Sequence, residues 1–290
     1  MSYNETMLGL YRDFVIERHL IWEARQRNEP QPWTADPVLA NRKFTNVFRV
    51  LDPGSQFVVT DLITPDPVDY LARCILYRYT NLPKTWYFMR SNLGRHPLAE
   101  DMNDTLIKLL QDYRDVGNTV FSGAYIIMPN PGVTGSDKIA DAVNLTRNFL
   151  SEGKTEEFFR QETQKGRYDT LRSFPGIGKF MAMQILTDWG YGQPENREND
   201  FIVAGPGAIK GAGYISDDKP EELIYILTRG WSQSKVVRLN GHPLSLMDTQ
   251  NTLCEFSKYV RELEIPRKTS LYKPTHPGPQ TAPTLPVWIQ

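Results

Sequence analysis

The chain has 290 residues, room for one large domain or two small ones, and its 40% hydrophobic and 23% charged side chains are the balance of a soluble globular protein. A formal net charge of −1 argues against a general polyelectrolyte binder and leaves a local basic patch open. No apolar run approaches the roughly 18 residues of a membrane span. Met1 to Glu5 have neither a basic start nor an apolar core, so no secretory signal is expected. Cys74 and Cys254 give no disulfide framework and exclude an all-cysteine metal site, and the four histidines lack metal-ligand spacing, so no metal centre is expected.

The pattern is mainly helical. Met7, Leu10, Tyr11, Phe14, Val15, Ile21 and Trp22 share one face of a helix predicted over about 4–27. Phe44, Val47, Phe48 and Leu51 follow at i, i+3, i+4, i+7, with Arg42, Asn46, Arg49 and Asp52 on the other side. Phe57-Val58-Val59 reads as a short strand, 67–79 and 98–115 as helices, and Tyr125-Ile126-Ile127-Met128 as a second short strand. Ser136 and Asp137 are placed to cap a helix to about Leu150, and 155–170 forms another. Pro220 suits the first turn of a short helix through Thr228. Ser245, with Asp248 three residues on, opens a long helix that buries Leu246, Leu253, Phe256 and Val260. Residues 266–290 carry six prolines and three basic side chains but no acidic one, the composition of an extended or disordered tail.

The densest chemistry lies in Leu171-Arg172-Ser173-Phe174-Pro175-Gly176-Ile177-Gly178-Lys179, which reads as a helix-hairpin-helix element over about 167–190. Pro175 ends one helix, and Gly176 and Gly178 permit positive φ or close approach. The unpaired N–H groups of the next helix make a seat for a DNA phosphate, with Lys179 as a further contact. An ordinary glycine turn between packed helices is the alternative. In helix-hairpin-helix DNA glycosylases a catalytic aspartate follows the hairpin at about the distance of Asp200, which could equally cap a surface turn. The lyase-type nucleophilic lysine would stand at Phe180, so Schiff-base chemistry is not expected. The run Gly205-Pro206-Gly207-Ala208-Ile209-Lys210 resembles a phosphate-cradling loop but matches neither nucleotide fingerprint. Asp248, Asn251, Glu255 and Lys258 line one helical stripe, either a binding wall or a solvated face with an ion pair.

The segments PWTADPVLANRKFTNVFRVLD, FPGIGKFMAMQILTDWGY, DFIVAGPGAIKG and DTQNTLCEFSKYVR, in that order, resemble one family. Its members are the α-glutamyl/putrescinyl thymine pyrophosphorylases, or amino acid:DNA transferases, of phage thymine hypermodification. The same helical module accompanies 5-hydroxymethyluracil DNA kinases, but the 290 residues contain no P-loop. The resemblance spans about residues 10–262. It implies an all-α, two-lobed fold similar to helix-hairpin-helix DNA glycosylases, with 1–265 as the DNA-modifying domain and 266–290 as the tail.

It also implies a reaction. An amino acid (a glycine-like donor) or another amine displaces pyrophosphate from the 5-methylene carbon of pyrophosphorylated 5-hydroxymethyluracil in DNA. Asp200 is then the expected catalytic residue. Arg42, Lys43, Asn46, Arg49, Gly205, Gly207, Lys210, Asn251 and Lys258 are expected around the pyrophosphate or substrate, and Gly176, Gly178 and Lys179 on the DNA backbone. The amine or amino acid is the expected co-substrate, no cofactor is assigned with it, and magnesium is a candidate through the pyrophosphate. The expected partners are double-stranded DNA carrying 5-pyrophosphomethyluracil and a 5-hydroxymethyluracil DNA kinase, in the cytoplasm of an infected bacterium. The rival readings are a monofunctional DNA base glycosylase and a noncatalytic DNA-binding module of a modification complex.

Overall fold

Asn4 starts the first helix by accepting the Met7 N–H at 3.1 Å, and the same local logic recurs along the chain: Asp36, Asp66, Asn103, Asp137, Thr163 and Ser245 each cap a following helix with a side-chain oxygen. The computed structural model describes residues 3–123, 137–195, 197–265 and 281–289. In chain order the α-helices are α1 Glu5–Gln26, α2 Pro37–Asn41, α3 Pro53–Phe57, α4 Pro67–Thr80, α5 Pro83–Leu93, α6 Asp104–Asp115, α7 Lys138–Ser151, α8 Lys154–Arg160, α9 Gln164–Ser173, α10 Lys179–Tyr191, α11 Pro206–Gly213, α12 Pro220–Ser232 and α13 Leu246–Glu264. The described residues form no β-strand, only the isolated bridges Tyr3–Ser216 and Leu239–His242. The fold is all-α, as expected. Among the described residues no helix is long and apolar enough to cross a membrane.

The chain divides into two compact units. Unit 1 takes Met1–Asp52, Phe201–Leu285 and Ile289–Gln290, and unit 2 takes Pro53–Asp200 and Pro286–Trp288.

Unit 1 is organised on α13. Its capping box is complete: Ser245 Oγ accepts the Asp248 N–H at 3.1 Å, and Asp248 accepts the Ser245 N–H at 3.0 Å. Tyr11 and Phe14 of α1 pack edge-on or tilted against Phe256 and Tyr259 of α13. The Tyr11 hydroxyl meets Thr252 Oγ1 at 2.8 Å. α11 lies still closer to α13. A Cβ on Gly211 would stand 2.0 Å from the Leu253 carbonyl oxygen, and one on Gly207 2.3 Å from Cys254 Sγ. These two glycines, one helical turn apart, let two backbones touch.

Unit 2 is built around α4 and α10, whose residues Tyr70–Thr80 and Met181–Tyr191 are buried on every side. Helices buried all round form the core, and their polar side chains, Arg73, Arg78, Gln184 and Asp188 among them, are buried with the rest. Arg73, inside α4, donates to the carbonyls of Pro97, Leu62 and His96, satisfying backbone acceptors of neighbouring turns.

Several expectations change. Phe57-Val58-Val59 is no strand. The segment leaves α3 into a π-helical turn over Val58–Leu62, closed by Ile63 N–H to the Val58 carbonyl at 3.3 Å. A short apolar run has no periodicity that separates strand from buried helix. The helix expected over 155–170 is two, α8 and α9, because Thr163 caps a new start. That over 98–115 is a 3-10 turn at Ala99–Asp101 followed by α6. The expected strand at 125–128, the capping residue Ser136 and tail residues 266–280 lie outside the described residues. The end of the tail, 281–289, is described: it forms no helix, Ile289 is buried, and Trp288 Nε1 donates to the Gly190 carbonyl at 3.3 Å.

Candidate functional site

In unit 1, the segment after α2 carries apolar residues at helical spacing but is not a helix. Residues 42–48 are irregular, and only Arg49–Leu51 forms a 3-10 turn. Phe44, Val47, Phe48 and Leu51 are nevertheless all buried, as their pattern predicts. Polar side chains of α13 replace the missing helical hydrogen bonds. Asn251 Nδ2 donates to Thr45 Oγ1 and to the Asn46 carbonyl at 3.2 and 3.1 Å. Glu255 accepts the Thr45 N–H at 3.0 Å, and Asp248 accepts the Arg49 N–H at 2.7 Å. Lys258 donates to the Lys43 carbonyl, pairs with Glu255 at 3.3 Å and lies 4.5 Å over the Phe44 ring. The α13 stripe therefore holds one specific irregular backbone and includes the ion pair of the plainer reading.

This arrangement brings Arg42, Lys43, Asn46, Arg49, Asn251 and Lys258 into one wall. Their duties differ. Arg42 Nε is bound to the buried Glu262 at 2.9 Å, fixing the end of α2 to α13. Asn46 donates to the Leu51 carbonyl at 2.8 Å and accepts from Arg18 at 2.7 Å. Lys43 is exposed, whereas Arg49 is buried with its charge near Asp52 and Asp248. Two acidic groups here are pushed up by burial. Asp248, deep in the capping box, is raised despite hydrogen bonds from Ser245 and Arg49, and Asp52 rises to about 7 despite Asn46, Arg49 and Arg18.

Arg18 and Asp52 stood outside the expected site. Arg18 had a signal: it falls on the same α1 face as Tyr11, Phe14 and Val15, where a buried arginine needs acceptors.

The glycine-rich run opens the helix α11 and is not a loop. Gly207 serves the packing against α13, the Gly205 N–H is taken by Gln250 Oε1 at 3.1 Å, and the Ala204 N–H by Glu221 at 2.9 Å. Lys210 is exposed on the last turn.

In unit 2, α9 and α10 are joined by a tight turn. Gly176 adopts φ +92°, where a side chain would be strained. Arg172 closes the turn onto the Ile177 carbonyl at 2.9 Å, and the Tyr79 hydroxyl donates to the Gly176 carbonyl at 3.0 Å. Gly178 precedes α10 with no side chain to cap it, and Gly178, Lys179 and Phe180 are exposed. Lys165 is paired with Asp169 at 2.5 Å; among the described residues Lys179 has no ion pair. Asp200 lies exposed on the turn ending unit 2, its N–H bonded to the Arg197 carbonyl at 3.1 Å.

A family described as "5-hmdU DNA kinase, helical domain" matches residues 5–268. A 5-hmdU DNA kinase of Bacillus phage SP10 is 24% identical over 290 residues, an alignment covering 88% of this chain and 45% of that protein. The chain thus spans less than half the length of this relative. No solved structure matches. The family match runs from the start of α1 to just beyond the end of α13, and the chain belongs to the family of 5-hmdU DNA kinase helical domains.

Proposed function

We propose that this protein modifies thymine-derived bases in phage DNA, transferring an amine to the 5-methylene carbon of pyrophosphorylated 5-hydroxymethyluracil with release of pyrophosphate. One observation carries the reading: two distant sequence blocks, 42–52 and 248–258, converge on a single polar wall in unit 1. The family places a related helical domain beside 5-hmdU chemistry.

The chemistry suits such a wall. Pyrophosphate leaves with growing negative charge, which oriented cations and N–H donors stabilise. The pyrimidine ring delocalises positive charge forming on the exocyclic carbon. The uncapped α10 start in unit 2, behind the Gly176–Gly178 turn, fits the DNA backbone, as does the exposed Lys179. A base presented to this chemistry would have to leave the helical stack. The donor is an amino acid of the glycine type or another small amine, and magnesium would accompany the pyrophosphate.

The test offers duplex DNA bearing 5-pyrophosphomethyluracil with a panel of amines and reads the digested nucleosides by mass spectrometry. An aminated thymine together with released pyrophosphate is the expected result. A second reading is favoured by the coverage of the SP10 relative, where the matched region is less than half of a kinase. In that reading the helical domain only delivers DNA to a partner enzyme, and the same assay would give DNA binding without turnover on any donor. Release of free base would instead identify a glycosylase.

A further inference from the structure

Asp52 closes the 42–52 segment with its two carboxylate oxygens in different situations. Oδ1 accepts the Asn46 N–H at 2.8 Å. Among the described residues no hydrogen bond reaches Oδ2, and the residue keeps partial exposure. The charged groups facing it come from three stretches: Arg18 of α1, Arg49 of its own segment and Glu255 of α13. Of the other charged groups of the wall, Lys258 is engaged with Glu255 and the Lys43 carbonyl, Asp248 with Ser245 and the Arg49 N–H, and Arg42 with Glu262, while the Lys43 side chain is exposed.

A carboxylate in the field of two guanidinium groups is ordinarily a permanent anion. Here burial outweighs both cations and the Asn46 hydrogen bond, and Glu255 adds repulsion, so the carboxyl exchanges its proton at about pH 7. One oxygen is fixed by the backbone and the other is unbonded. Together these are the requirements of a general base working near neutrality. Asp248 lacks the unbonded oxygen because its hydrogen bonds are saturated by Ser245 and the Arg49 N–H.

We propose that Asp52 is the catalytic base that deprotonates the incoming amine, an assignment that rests on the transferase reading above. Oδ2 takes one proton from the ammonium form of the donor. The freed nitrogen lone pair forms the C–N bond to the 5-methylene carbon. The C–O bond to pyrophosphate breaks, its electron pair leaving with the pyrophosphate. The secondary ammonium produced releases its extra proton to solvent, and Asp52 returns its own proton to solvent before the next turnover.

The experiment is single-turnover transfer by the full chain on duplex DNA bearing 5-pyrophosphomethyluracil, with glycine and with hydroxylamine, an amine that is largely neutral at pH 7. The wild-type glycine rate should show an ionisation near pH 7 in addition to that of glycine itself. Asp52→Asn should lose on the order of a hundredfold or more with glycine. It should recover to within a few-fold of wild type with hydroxylamine, which needs no base; a merely structural aspartate gives no such rescue. Equal losses with both amines in a folded, DNA-binding Asp52→Asn variant overturn the assignment, as does an unchanged glycine rate. Should that variant not fold, the wild-type profile decides, and its lack of an ionisation near pH 7 overturns the assignment. Wild-type protein that transfers neither amine removes the transferase reading itself, and this assignment falls with it.

Discussion

Arg78 of α4 and Asp188 of α10 meet through two hydrogen bonds, Nε to one carboxylate oxygen and a terminal nitrogen to the other, in the interior of unit 2 where both are buried. The Tyr70 hydroxyl adds a hydrogen bond to the Asp188 carbonyl at 2.5 Å. A bidentate pair of this kind joins the two most buried helices of the unit in one rotational setting. Removing one member leaves the other charge buried without its bidentate counter-ion. Asp188→Ala or Arg78→Ala should therefore lower stability by about 3–5 kcal/mol in urea unfolding. Replacing both with leucine should recover most of that loss, and a double variant as unstable as the singles would show that shape rather than charge is at issue.

The approach of α11 to α13 is tested at two glycines. Gly211→Ala drives a Cβ against the Leu253 carbonyl, which belongs to helix backbone and cannot rotate away. A loss of about 1–3 kcal/mol is expected. Gly213→Ala meets nothing within 4 Å and should be neutral or slightly stabilising. Thermal melts of the two variants side by side decide the point, and equal behaviour would mean the two helices separate at little cost.

Lys179 and the uncapped start of α10 give a prediction about DNA. Lys179→Ala should weaken binding to modified and ordinary duplexes alike. The slope of log K against log salt should fall by about 0.9, one phosphate contact. A slope identical to wild type in a folded variant would take the α9–α10 turn out of the DNA interface.

Asp52 gives the pH dependence. Its carboxyl lies at about 7 in the folded protein against an ordinary value of 3.8, so the folded state holds a proton that the unfolded chain releases. The neutral carboxyl favours folding at low pH, and that contribution is lost as pH rises through about 7. Asp52→Asn, neutral at every pH and still able to accept from the Asn46 N–H, should melt above wild type at pH 8, with the gap narrowing steadily below pH 7 and closing only below about pH 4, the ordinary carboxyl value. The residue proposed to do the chemistry is thus one whose ionisation the fold tolerates poorly, a trade often found at active sites. Melting curves that run parallel across that range would place Asp52 in an ordinary solvated setting.

What could be read from the sequence was what the sequence decides locally. The start of α13 follows from Ser245 and Asp248, which find each other within one turn, and the buried faces of α1 and α13 follow from apolar spacing. The 42–52 segment shows where that logic stops. Its apolar residues have helical spacing and are buried, yet the backbone is irregular because Asp248, Asn251 and Glu255 supply its hydrogen-bond partners from far along the chain. The glycines of α11 carry the same lesson: their spacing fits close helix contact as well as a phosphate loop, and only the Leu253 backbone distinguishes the two. Arg78 is buried within α4 beside a partner, Asp188, that lies 110 residues on and that local spacing does not reveal.

The path of the chain through its two units sets an order on biosynthesis. The chain leaves unit 1 at Asp52 and returns at Phe201, so the face of α1 that carries Tyr11 and Phe14 emerges from the ribosome long before its partner α13. All of unit 2 up to Asp200 is made in that interval and can gather around α4 and α10, while unit 1 waits with aromatic rings and the 42–52 backbone unpaired. A nascent chain paused before Ser245 therefore carries one unit able to fold and another whose aromatic surface is open to chaperones, and translation of α13 is the event that closes it.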